Sequence, residues 1–238
     1  MALKKGKGEK KELAKKEEST EEEKNKSAVK KEEKQLIWFL VIVALILGSF
    51  LGGYFYIQSL NKFEYAGIQF EKTREGDLLF YHGRFPLTKN GVIQNYYNIY
   101  LRNDPRENEI PIEADLRKIN SINNITFSLE PDAGECYGAI IAQTEIGKFF
   151  GAPKRFNITS AVNDKETAKT LNLTYAGCEN ANKNQTVIII KKSETPSIKQ
   201  GDNSYCYLIN VGECENIKTI ERFIMGFLAQ LSGNKLLN

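Results

Sequence analysis

The sequence predicts an α+β protein: a single N-terminal transmembrane helix followed by an exported mixed-sheet domain covered by helices. Three observations carry that prediction. An uncharged apolar run of 22 residues spans Leu36 to Ile57. The residues beyond it alternate between strand-like and helix-like patterns. All four cysteines lie after the run. The expected layout is a charged cytoplasmic tail over 1–35 and a signal-anchor helix over 36–57. A β-rich part over 58–130 and an α/β part with two disulfides over 131–238 follow.

The tail is the first element. The chain carries 33 Lys+Arg against 30 Asp+Glu, a formal net charge of +3. Residues 1–35 hold 12 lysines and 9 glutamates, so the net charge resides there and the remaining 21 basic and 21 acidic residues cancel. This near-balance argues against a broadly basic nucleic-acid binder. The tail has too few apolar side chains to bury a core and reads as a solvated tether.

At about 1.5 Å per residue the apolar run extends ~33 Å, enough for a hydrocarbon core of ~30 Å. Trp38 near one end and Tyr54 and Tyr56 near the other suit the two interfaces. The run is longer than the apolar region of a cleaved signal peptide, and it ends without a small-x-small site. Lys24, Lys26, Lys30, Lys31 and Lys34 precede it, and few basic residues follow. The positive-inside rule therefore predicts a cytoplasmic tail, with residues 58–238 outside. Gly48 and Gly52 form a small-xxx-small pair, which permits a homodimer through this helix.

Two features agree with export. An even set of cysteines, Cys136, Cys178, Cys206 and Cys214, reads as two disulfides in an oxidising compartment. The sequons at Asn124, Asn157, Asn172 and Asn184 are glycosylation candidates, and a further sequon at Asn25 falls in the tail.

In the exported part, strands are expected over 66–71, 77–85, 96–102 and 122–129. A helix capped by Asp132 is expected to run through Cys136 to Phe150, with Tyr137, Ile140, Ile141 and Thr144 inward. A short strand over 156–162 and a short helix over 164–171 follow. The continuous apolar run Thr186–Ile190 reads as a strand covered on both faces, with 205–211 as its antiparallel partner. That pairing predicts Cys178–Cys214 and Cys136–Cys206. A final helix carries Ile217, Ile220, Ile224, Phe227, Leu228 and Leu231 at helical spacing.

Candidate chemistry is sparse. His82 is the only histidine, and neither a nucleophile elbow nor a phosphate loop accompanies it. No pair of cysteines has zinc-ligand spacing, and no metal or cofactor is expected. Arg102, Asp104 and Arg106 form the most distinctive polar cluster, suited to an anion or an acidic partner loop. Glu109, Glu113 and Asp115 follow on an edge, where two carboxylates would serve a hydrolase.

The charged tail, the anchor, the run LRNDPR, the segment TVIII with the following YCYLINV, and the terminal ERFIMGFL together resemble archaeal single-pass membrane-anchored proteins. That resemblance implies a surface location and brings no activity to carry over. The expected function is non-enzymatic binding or assembly at the cell envelope, with the bilayer and another envelope protein as partners. A tethered hydrolase acting on envelope glycan or peptide is one alternative, and a single-pass sensor is another.

Overall fold

The computed structural model describes residues 37–89, 92–135, 138–152, 156–213 and 215–233. The chain forms two units, residues 1–60 and 61–238. In the first, helix α1 (Ile37–Leu60) has no charged residue, and its side chains are almost all exposed. Its 24 residues make it long and apolar enough to cross a bilayer. It continues one turn past the expected end at Ile57. Substituted side chains at Gly48 and Gly52 would meet nothing within the chain.

The second unit begins with an antiparallel meander. Strands β1 (Lys62–Tyr65), β2 (Ile68–Glu75), β3 (Leu78–Lys89) and β4 (Val92–Leu101) pair in chain order. Ala66 and Gly67 turn β1 into β2, both with positive φ, as the tight primed hairpin turns require. Alternation then places Tyr65, Ile68, Phe70, Tyr81, Ile99 and Leu101 on the buried face. Gly83 lies opposite Phe70, and a Cβ there would come within 2.6 Å of the ring. The strand needs glycine at that point because the aromatic ring occupies the space.

The remaining strands are β5 (Ile112–Glu113), β6 (Asn124–Leu129), β7 (Asn157–Val162), β8 (Gln185–Ser193), β9 (Ser197–Gln200) and β10 (Cys206–Gly212). They form a six-stranded mixed sheet in the order β5-β9-β10-β8-β6-β7. The two sheets therefore part between β4 and β5, and β6 lies well inside the second sheet rather than closing a β-rich half at 130. Helices α2 (Pro131–Gly134), α3 (Ala139–Gly151), α4 (Lys165–Leu171) and α5 (Asn216–Leu231) complete the unit. Asp164 caps α4 by accepting from the Thr167 N–H at 2.6 Å, as its position in the sequence predicts.

Both faces of the large sheet are covered. Ile188, Ile190, Tyr207 and Ile209 face the main core, which contains α3, α5 and the inner face of the meander. Val187, Ile189 and Cys206 face a smaller cluster with Ala161, Ala176 and Ala181. This two-sided burial explains why β8 reads as an unbroken apolar run. Phe149, Phe150 and Phe227 pack with ring centroids 4.9–5.9 Å apart at the centre of the main core.

Two expectations are corrected. First, β8 and β10 are parallel, not antiparallel. The connection between them contains β9, which pairs antiparallel with β10. The chain leaves β8, returns as β9, and reverses again into the slot between them. The starts of β8 and β10 consequently lie at one end, which brings Cys178 to Cys206. These two form the disulfide, with Cα atoms 5.3 Å apart, in place of the expected Cys178–Cys214 and Cys136–Cys206. Cys136 and Cys214 lie outside the described residues. Closing a loop with a sequence separation of 28 stabilises the fold by about 3.5 kcal/mol on the chain-entropy account. Gly201 lies against the bridge, and a Cβ on it would sit 2.8 Å from both sulfurs.

Second, the helix expected from Asp132 to Phe150 is interrupted. Gly138, at φ +83, separates α2 from α3, and Glu130 with Pro131 begins the first turn instead of Asp132. The buried face of α3 consists of Ala139, Ala142, Ile146, Phe149 and Phe150, while Ile140 is 79% exposed. Tyr137 lies outside the described residues. Replacing Ile146 with Ala is expected to cost about 2–5 kcal/mol, and replacing Ile140 with Ala less than about 0.5 kcal/mol. Urea titration of both variants checks which face is inward.

Candidate functional site

The polar run after β4 is tied down through its backbone, while the Arg102 and Arg106 side chains stay at the surface. It is gripped by α5. Glu221 and Arg222 are consecutive, and both are buried. The Glu221 carboxylate accepts from the backbone N–H of Arg102 at 2.5 Å, the backbone N–H of Asn103 at 3.1 Å and the Asn103 side-chain amide at 2.7 Å. Arg222 donates to the Ile110 carbonyl at 2.9 Å and to the Tyr65 hydroxyl at 2.8 Å. The Asn108 amide donates to the Lys218 carbonyl. One helix thereby holds the start, middle and end of the connection between the two sheets.

The sequence-predicted cluster is largely spent on this connection. Arg106 donates to Asp104 through its side chain at 2.9 and 2.6 Å and through its backbone at 3.0 Å. Burial pushes the Asp104 carboxyl up, but these bonds from Arg106 outweigh it and hold the group below its usual range. The Arg106 guanidinium also lies 3.9 Å from the Phe63 ring centroid. Arg102 reaches over Phe80 at 5.8 Å. Glu109 is exposed, and Glu113 pairs with Lys199 at 3.6 Å on the surface, worth at most about 1 kcal/mol. Asp115 caps the 3-10 turn Leu116–Ser121, and the Arg117 hydrogen bond holds its carboxyl low. An acid catalyst needs the opposite shift.

The raised carboxyl is Glu221. Desolvation by burial pushes it up to about 7, against the opposing hydrogen bonds from Arg102 and Asn103. Glu221 and Arg222 stand in the terminal run ERFIMGFL, and the sequence alone assigns them no role. The signal that finds them is the apolar girdle of α5. Ile220, Phe223, Ile224, Met225, Phe227 and Leu228 leave the helix no wet face, so polar residues among them must be buried.

The open surface lies on the outer face of the meander. Tyr96 and Tyr100 are 52% and 47% exposed. His82 stacks on Tyr100 with ring centroids 4.6 Å apart and shares a 3.1 Å hydrogen bond with the Asn98 side chain. Arg84 is the cross-strand partner of Asn98. His82 is thus a strand histidine with a bonded tip, set in a row of tyrosine, asparagine and arginine. Such side chains dominate adaptable binding surfaces because they offer rigid apolar area together with hydrogen bonds.

The sequons are also sorted by the fold. Asn124, Asn157 and Asn184 come together at one end of the parallel strands. Asn172 ends α4 in the left-handed conformation, at φ +50. No group of three or more His, Cys, Asp or Glu that could hold a metal occurs among the described residues. No family model, no curated protein and no solved structure matches the chain.

Glu221 gives this site a pH signature. The folded chain holds its proton more tightly than the unfolded chain, so its contribution is fully present below about 4.5 and is lost as pH rises through about 7. Glu221→Gln is expected to match the original chain near pH 4.5 and to show a flatter decline in Tm between pH 5 and 8. Thermal melts across that window check it.

Proposed function

We propose that the protein is a single-pass membrane protein whose folded unit, residues 61–238, lies outside the cytoplasm and binds another component of the cell envelope. One observation carries the reading: an uncharged helix of bilayer length is followed directly by a unit that contains a disulfide. The lysine-rich residues before the helix favour a cytoplasmic tail. The Tyr96, Tyr100, His82, Asn98 and Arg84 face supports binding, since it presents half-exposed aromatic area beside hydrogen-bonding groups on one side of the sheet. The carboxylates that would serve a hydrolase do not favour catalysis in the same way, because Asp115 is committed to its cap and to Arg117.

Protease added to intact cells is expected to remove residues 61–238 while leaving an epitope on the tail protected; digestion of the tail first would overturn the reading. Replacing Tyr96 and Tyr100 together with Ala is expected to reduce chemical crosslinking to envelope partners in native membranes at least tenfold. The same variant should change stability by less than about 1 kcal/mol, since both side chains are half exposed.

A further inference from the structure

Sequons scattered by chance would spread over the surface. Here each of the three parallel strands β6, β7 and β8 opens on one. Asn124 pairs in register with Asn157 on one side and with Gln185, the residue after Asn184, on the other. The Asn157 amide donates to the Asn124 side-chain oxygen at 3.0 Å, and the Asn124 amide donates to the Asn184 carbonyl at 3.0 Å. All three asparagines are exposed. Beside them lies a groove of about 610 Å³, within the range of roughly 300–1,000 Å³ typical of small-molecule sites. The exposed sequon threonines Thr159 and Thr174 line it together with Asn180, Asn182 and Gln185, and the buried Thr126 lies at its floor with its hydroxyl accepting from the Gln185 amide at 2.9 Å.

That wall is made of hydroxyl and amide groups, which can both donate and accept. It matches the vicinal hydroxyls of a saccharide and offers little to a charged or apolar ligand. Tyr175 adds an aromatic ring, and its hydroxyl donates to Glu179 at 2.6 Å. Glu179 is held ionised by that bond and supplies a further acceptor at the rim.

We propose that this strand end is an N-glycosylation site with Asn124, Asn157 and Asn184 as acceptors, and that the adjoining groove seats the attached saccharide. The proposal rests on residues 61–238 being exported. The amide nitrogen forms a bond to the anomeric carbon of a polyprenyl-phosphate-linked oligosaccharide. The anomeric C–O bond breaks, the lipid phosphate leaves with the electron pair, and the amide gives up one proton to the transferase. The hydrogen bonds survive, because each carboxamide nitrogen carries two hydrogens and the sugar replaces only one. Thr126 and Thr186 are buried after folding, so transfer at Asn124 and Asn184 precedes closure of the sheet.

The test uses the full chain purified from its native membranes, beside a variant with Glu75→Asn and Asp77→Thr. That variant adds a control sequon at the exposed turn between β2 and β3. Glycopeptide mass spectrometry is expected to find glycan on Asn124, Asn157 or Asn184 and on the control. A modified control with the three asparagines bare overturns the proposal and leaves the exported reading intact. Both bare also overturns it, whereas glycan on Asn25 alone overturns the exported reading and the proposal with it. For the seat, enzymatic removal of the glycan is expected to speed hydrogen exchange at residues 174–182 several-fold and to leave residues 78–87 unchanged. No change at 174–182 overturns the seat. Slowing by free saccharide in a chain with bare asparagines would assign the groove to an outside glycan and overturn the proposal as well.

Discussion

The second unit depends on the grip of α5 on the connection between its two sheets. Glu221 fastens residues 102 and 103, and Arg222 fastens residue 110 and the end of β1. Burying a carboxylate and a guanidinium is costly unless their bonding capacity is filled. Glu221 accepts three hydrogen bonds and Arg222 donates two, mostly to backbone groups that would otherwise be stranded in the core. Because both residues lie on one helix turn, the meander and the mixed sheet are registered to the same rigid element. The shared core of Phe149, Phe150, Phe223 and Phe227 then packs between them.

The second constraint is the path from β8 through β9 into β10. Because β8 and β10 run parallel, their starts converge, and Cys178 reaches Cys206. Gly201 leaves room for the bridge. The same end of the sheet carries the starts of β6 and β7, so the sequon row and the polar groove follow from the parallel order. Had β8 and β10 been antiparallel, the cysteine pairing would differ.

Much of this was legible locally. The apolar run of α1, the Asp164 cap, the two-sided burial of β8 and the periodic face of α5 all announce themselves within a dozen residues. What was not legible depends on partners distant in the chain. Parallel pairing of β8 and β10 requires β9, whose four residues Ser197–Gln200 are too short to stand out. The inward face of α3 is set by Phe149 and Phe150 packing in the core, which carries Ala142 and Ile146 inward at helical spacing and leaves Ile140 outside. Asp104 and Arg106 pair with each other across two residues, while the partner of the Arg102 and Asn103 backbone, Glu221, lies more than a hundred residues away and is invisible locally. The sequons were visible singly, and only the strand register brings three of them into a row.

The unit buries Glu221 and Arg222 under its connecting run and leaves the aromatic face of the meander open. The claim that this unit is exported stands or falls on the chemistry of one bridge. The direct measurement is thiol trapping in intact cells: rapid alkylation, followed by reduction and labelling of Cys178 and Cys206 with a second reagent. Export predicts that both sulfurs take only the second label, having been joined in the living cell. Alkylation of Cys178 and Cys206 in the first step would show reduced thiols and contradict the account.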